Sequence, residues 1–251
     1  MMKLILNSGC ESYRDFLENI KSSFEENRST IHKARNELKE IHYAGVNTIV
    51  KSFKVPHLLN KIIYTYFRDS KAKRSYEYSL RISSFVPKAI GYVEFYKNGL
   101  LDTSYFISEK FEYTYTIREA LKKKLNKTDA QYDAIYKAFA KFTFDLHENN
   151  IFHDDYSPGN ILIKETQQGL EFKIVDINRM SFNVLTESKR AQNFEKLWAL
   201  DDILKVMADE YTKFYSSSDA KIFKKSVLYF SNKNKKIKNF KKRLKGKPVT
   251  D

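Results

Sequence analysis

Ile151-Phe152-His153-Asp154-Asp155-Tyr156-Ser157-Pro158-Gly159-Asn160-Ile161-Leu162-Ile163, followed after a polar turn by Phe172-Lys173-Ile174-Val175-Asp176-Ile177-Asn178-Arg179, is the most informative stretch of this 251-residue chain. Pro158-Gly159 excludes a continuous helix here, so the acidic residues before it fold back as a loop. Asn160 then opens the apolar run Ile161 to Ile163. That run, the turn Glu165 to Gly169 and the run Phe172 to Val175 predict a β-hairpin. Such a hairpin carries Asn160 and Asp176 to the same end of two neighbouring strands.

The residue types and their order point to phosphoryl transfer. His153, Asp155 and Asn160 keep the spacing of the protein-kinase catalytic loop, His-x-Asp with Asn five residues later. Asp176 ends an apolar strand, as the metal-binding Asp of Asp-Phe-Gly does. Transfer of a γ-phosphoryl group from ATP needs a carboxylate near the acceptor hydroxyl and oxygen ligands for Mg²⁺. Asp155 is the candidate base, and Asn160 and Asp176 are the candidate Mg²⁺ ligands. Taken singly, each is an ordinary residue of a solvated turn; the four in order, with strands between them, carry the reading. For His153 the expected role is packing and hydrogen bonding. Asp154 stands where many kinases carry Arg, so no activation-loop phosphate is expected to dock on it.

Upstream, Thr128 to Gln131 is patterned as a capping box, and Tyr132, Ile135, Tyr136, Phe139, Phe142 and Leu146 recur at helical spacing until Asn149-Asn150. This predicts a long buried helix feeding the loop. Earlier still, Asn47 to Lys54 is a strand carrying lysines. Lys51 is the candidate phosphate-contacting residue and Lys54 its competitor, since the two point to opposite faces of the strand. Glu77, in Ser75 to Ile82, is the candidate acid partner of Lys51. The strand Ser104 to Glu109 and the following Lys110-Phe111-Glu112 predict an inter-lobe hinge, which makes Glu109 and Phe111 candidate adenine contacts. No Gly-x-Gly-x-x-Gly precedes the lysine strand and the chain holds only 7 glycines, so Arg28 to Glu40 is left to cover the phosphates as a shorter hairpin. Asp176-Ile177-Asn178 lacks the Gly of Asp-Phe-Gly, and no Ala-Pro-Glu follows. A small or lipid-linked hydroxyl is therefore the expected acceptor rather than a protein.

His153 to Arg179, together with Val50 to Pro56 and Ser70-Lys71-Ala72-Lys73-Arg74-Ser75-Tyr76-Glu77, resembles the bacterial lipopolysaccharide-kinase family, from about Arg28 to Tyr211. The resemblance implies an α+β, two-lobed protein-kinase-like fold with a small β-rich N-lobe and a mainly helical C-lobe. It also implies dependence on ATP and Mg²⁺, a cytoplasmic active site, and an acceptor, Kdo or a heptose of the lipopolysaccharide inner core, presented at the inner membrane face. It does not say which sugar. The expected division is an N-lobe over 1–113 and a C-lobe over 114–251. The runner-up enzyme is a small-molecule kinase of the aminoglycoside or choline type, which has the same loop spacing and would act on another hydroxyl-bearing small substrate. A kinase-fold pseudokinase that only binds is opposed by the presence of Lys51, Glu77, Asp155, Asn160 and Asp176.

Composition fits this reading. At 42% hydrophobic residues the chain can bury a sizeable core, and a net charge of +14 calls for an anionic partner. From Lys221 onward there are twelve Lys or Arg against Asp251 alone. This tail reads either as an amphipathic basic segment on an anionic membrane or as a frayed solvated helix. Leu58, Leu59, Ile62, Ile63, Tyr66 and Phe67 form a second stripe beside basic residues. Packing against the small lobe is expected for it, with membrane contact the alternative. Nucleic acid is not an expected partner, because the aromatics sit at core periodicities rather than in a stacking motif. Cys10 is the only cysteine, which excludes an internal disulfide and fits a reducing cytosol. The apolar run at Leu4-Ile5-Leu6 is too short for a signal peptide, and nothing approaches the roughly 20 apolar residues of a membrane span.

Overall fold

A computed structural model of the chain describes residues 1–33, 36–55, 57–215 and 219–249. Two compact units result: Met1–Glu112 with Asp176–Asn178, and Tyr113–Val175 with Arg179–Asp251.

The first unit contains, in chain order, β1 (Met2–Leu6), α1 (Arg14–Glu18), α2 (Ile20–Glu26), β2 (Thr30–Lys33), β3 (Asn36–Tyr43), β4 (Val46–Lys54), α3 (Leu58–Ile62), α4 (Lys71–Arg81), β5 (Ala89–Lys97) and β6 (Leu100–Glu109). The six strands make one antiparallel sheet in the order β1-β5-β6-β4-β3-β2. Alternation along the strands sorts the side chains into two faces. Val50, Val93, Tyr105 and Ile107 pack on Phe16, Leu17, Ile20 and Phe24 of the two N-terminal helices. Phe53 and Tyr92 point the other way, onto Ala72 and Tyr76 of α4. Lys51, two residues from Phe53, shares that second face. Gly91 lets β1 close on the sheet, since a Cβ there would stand 2.4 Å from the Ile5 carbonyl oxygen and 2.7 Å from a Leu17 methyl. The hairpin expected over Arg28 to Glu40 forms as β2 paired with β3; residues 34–35 lie outside the described residues.

α3 runs into a π-helical turn, Ile63–Phe67. The apolar stripe expected to pack here faces outward instead, with Leu59 75% and Phe67 79% exposed. Polar contacts fasten the segment from its other side: Lys61 pairs with Asp102, and Thr65 Oγ1 accepts from the Leu101 N–H at 2.9 Å.

The second unit holds β7 (Tyr115–Thr116), α5 (Ile117–Leu121), α6 (Asp129–Glu148), β8 (Phe152–His153), β9 (Ile161–Thr166), β10 (Gly169–Ile174), β11 (Met180–Ser181), α7 (Glu187–Asn193), α8 (Asp201–Phe214) and α9 (Ala220–Arg243). α6 begins at the expected capping box, with Thr128 and Gln131 reciprocally bonded, and ends at Asn149, after which Asn150 turns left-handed at φ 57°. Its stripe of Tyr132, Ile135, Tyr136, Phe139 and Leu146 is buried, and Phe142 stacks on Phe172 of β10 at 5.1 Å. The hairpin pairs Ile161 with Ile174 and Ile163 with Phe172, and β7 adds to its free edge.

α7 passes into a 3-10 turn at Phe194–Lys196, and Trp198 breaks the chain at φ 55° before α8 starts. The basic tail is neither frayed nor detached, because α9 docks on this unit. Phe223 stacks on Tyr211 at 4.7 Å, Asn234 Nδ2 donates to the Glu195 carbonyl at 2.7 Å, and Lys235 Nζ donates to the Ala199 carbonyl at 2.8 Å.

Candidate active site

In the second unit the loop after β8 is gripped through its backbone. His153 is 1% exposed. Its Nδ1 accepts from the Asp155 N–H at 3.0 Å and its Nε2 donates to the Val175 carbonyl at 3.0 Å. The two bonds fix one neutral tautomer and tie the loop to the residue that precedes Asp176. On the other side of Asp155, Tyr156 is fully buried, stacks on Phe139 at 5.6 Å and shares a 2.9 Å hydroxyl hydrogen bond with Thr143 of α6. Burial pushes the Tyr156 phenol far up, so it stays neutral. Asn160 Nδ2 donates to the Asp155 carbonyl at 2.9 Å, and that carbonyl also accepts from the Ser157 N–H at 2.7 Å. The Asn160 side chain is thereby held to the loop through its amide nitrogen. The Val175 N–H donates to the Asn160 carbonyl at 2.9 Å, continuing the hairpin.

A buried polar chain supports this loop from behind. Asn193 Nδ2 donates to the His153 carbonyl at 3.0 Å while its Oδ1 meets Nε2 of His147 at 3.0 Å. Nδ1 of His147 in turn lies 2.9 Å from the Tyr211 hydroxyl, which accepts from Arg190, itself paired with Glu148 at 2.7 Å. Burial pushes the His147 imidazole down to about 3, so it remains neutral and acts as a relay of hydrogen bonds rather than a charge. The sequence signal for this chain was weak, because His147 and Asn193 occupy ordinary helical positions.

In the first unit, Lys51 is 9% exposed and its Nζ meets Oδ1 of Asp176 at 2.5 Å, with the ammonium 5.2 Å from the Phe53 ring. Asn178 Nδ2 donates to the same oxygen at 2.5 Å. Asp176 holds a left-handed backbone at φ 58°, a conformation that Asp tolerates and that concentrates at functional sites. Lys54, the competing lysine, is exposed. Glu77 is a correction: it pairs with Lys73 on its own helix at 3.6 Å, and the acid on Lys51 is Asp176. The helical period explains this. Ala72, Ser75, Tyr76 and Ser79 form the buried face of α4, and residue 77 falls outside it. At the expected hinge, Glu109 pairs with Lys88 at 2.8 Å and its N–H donates to the Lys88 carbonyl, while the Lys110 N–H donates to the Asn47 carbonyl. Those two amides continue the sheet ladder, which leaves Phe111 as the first hinge residue outside it.

A sequence profile of the lipopolysaccharide kinase (Kdo/WaaP) family matches residues 70–216, a span that runs from the start of α4 through the loop, Asp176 and α8. The chain belongs to this lipopolysaccharide kinase family. It is a kinase-family phosphotransferase with a protein-kinase-like fold, as the α+β reading anticipated. Among solved structures it is similar to "WaaP in complex with acyl carrier protein", with a TM-score of 0.61 and 13% identity over 93% of this chain and 98% of that one. No curated protein matches it by sequence. Among the described residues no helix is long and apolar enough to cross a membrane.

Proposed function

We propose that this lipopolysaccharide kinase transfers the γ-phosphoryl group of ATP to a hydroxyl of an inner-core sugar, Kdo or a heptose. The observation that carries the reading is the grip on Asp155: His153 and Asn160 hold its backbone while its carboxylate stays half-buried and lines a cavity. Asp155 accepts the acceptor's hydroxyl proton as the oxygen attacks the γ-phosphorus, the bond to the β-phosphate oxygen breaks, and ADP leaves. Lys51, seated on Asp176, supplies positive charge for the phosphates. Glu109 and Phe111 bracket the hinge, and the Phe111 backbone, past the last ladder bond, receives the adenine.

Among the described residues no three His, Cys, Asp or Glu side chains form a metal site by themselves. That suits Mg²⁺ in a kinase, which takes one or two protein oxygens and completes its shell with phosphate and water. Asn160 and Asp176 carry oxygens of that kind and would hold it, where it would neutralise charge developing on the phosphates.

The test is transfer of ³²P from γ-labelled ATP with Mg²⁺ to purified inner-core glycolipids ending in Kdo or in heptose. Label in either glycolipid supports the reading and names the sugar. Label only in a free amino-sugar or amino-alcohol overturns it in favour of a small-molecule kinase.

A lipid-linked acceptor calls for a membrane-facing element, and the exposed stripe of α3 and its π-turn fits that need. Leu58, Leu59, Ile63, Tyr66 and Phe67 lie open beside Arg68. Replacing Leu59 and Phe67 together by Glu is expected to lower partitioning onto phosphatidylglycerol-containing vesicles by on the order of tenfold or more in a sedimentation assay. Phosphorylation of a detergent-dispersed acceptor is expected to change far less.

A further inference from the structure

Beside Asp155, within the second unit, lies a cavity of about 290 Å³. Arg118 and Lys122 of the α5 region, Lys196, Trp198 and Lys238 of α9 line it together with Asp155. Four cations surround one carboxylate, and among the described residues none of the four has an ion pair. Elsewhere in the unit, Lys123, Lys127, Lys141 and Lys205 each have a carboxylate partner. A neutral hydroxyl-bearing acceptor would not call for this surplus of positive charge.

Three details show that the cavity is built. Gly159 is the seat of Arg118: a Cβ at 159 would stand 2.3 Å from a guanidinium nitrogen, so the absence of a side chain in the loop lets that cation lie against it. Trp198 adopts a left-handed backbone at φ 55°, a conformation that is strained for a bulky residue. The strain turns the chain between Leu197 and Ala199, both buried, and leaves the indole half-buried with Lys238 and Lys242 at 5.0 and 5.7 Å from its ring centre. Lys196 is held by donating to the Asp154 carbonyl, and Lys238 loses basicity through burial and then through Lys196. Asp155 and Glu195 are the acids that work against that loss.

We propose that this cavity is an anion-reading acceptor pocket, in which a sugar that already carries a phosphate or carboxylate seats that group among Lys238, Arg118 and Lys196 and lays its ring against Trp198. The C-terminal helix then selects the acceptor that reaches Asp155. The proposal rests on Asp155 being the base, but sugar binding can be read without any transfer.

Trp198 is the only tryptophan in the chain, so its emission reports the cavity directly. The full-length protein is titrated with free Kdo as a sugar carboxylate, glucose 6-phosphate as a sugar phosphate, and glucose as the neutral control. Kdo or glucose 6-phosphate is expected to change the emission saturably and glucose is not, and whichever acts identifies the anion. Lys238→Met is expected to weaken that response by on the order of tenfold. Gly159→Ala, which displaces Arg118 without removing its charge, is expected to act in the same direction, and Lys241→Met on the exposed side of α9 to leave it unchanged. Circular dichroism verifies that each variant is folded. Equal responses to glucose and to the anionic sugars, or a Lys238→Met titration that matches the parent, overturns the proposal. A Trp198 response without any labelled glycolipid sustains the pocket and sinks the lipopolysaccharide acceptor. Labelled glycolipid with a silent Trp198 does the reverse.

Discussion

Asp155→Asn is expected to lower kcat for phosphoryl transfer roughly a thousandfold, the scale of a lost general base, while leaving the fold and ATP affinity close to those of the parent. The bonds that place this residue explain why the two effects separate. His153 accepts from the Asp155 N–H, and Asn160 and Ser157 donate to the Asp155 carbonyl. None of these involves the carboxylate. An isosteric amide therefore keeps the loop, but it cannot accept the hydroxyl proton. Single-turnover transfer and thermal melting, measured together on the same preparation, provide the check. A kcat within tenfold of the parent would assign the proton to another group or to solvent.

What the sequence disclosed and what it hid follow from how local each feature is. The loop, the hairpin and α6 were legible because each rests on short-range chemistry: a Pro-Gly break, a polar turn between two apolar runs, a capping box ahead of a helical stripe. Lys51 was separable from Lys54 as one of two opposite strand faces, and the structure buries Lys51 and exposes Lys54. Glu77 misled because the sequence near it is polar on several faces, and only the packing of Ala72 and Tyr76 on Phe53 and Tyr92 shows which face turns inward. The stripe of α3 misled in the opposite way, since a helical apolar pattern does not say whether protein, lipid or nothing covers it. The cavity beside Asp155 was invisible from sequence. It needs Arg118, Gly159, Trp198 and Lys238, brought together from α5, the loop, a strained turn and the last helix. The tail looked like a charge run because lysines dominate it, but Phe223, Val227 and Ser231 were enough to bury one edge of α9.

Lys51→Met is the second large effect, and the change at Lys54 is its control. A methionine fills the volume of the lysine stem in its nearly closed position beside Phe53, so packing is retained while the ammonium is lost. Asp176 would keep the hydrogen bond from Asn178 but lose its cation. Because the Asp176 side chain is 36% exposed, water compensates much of that loss, and the melting temperature is expected to move by only a few degrees. Catalysis has no such compensation: a fixed positive charge aimed at the transferring phosphoryl is worth about 10²–10³ in rate. The expected pattern is therefore a fall of that size in kcat/KM for ATP in Lys51→Met, with Lys54→Met near the parent because Lys54 projects into solvent. A larger loss at Lys54 than at Lys51 would mean that the nucleotide lies on the other face of β4. Equal and small losses would leave the Lys51–Asp176 pair a structural clasp. In that event the phosphates would have to be held by cations other than the one the sequence pattern selects.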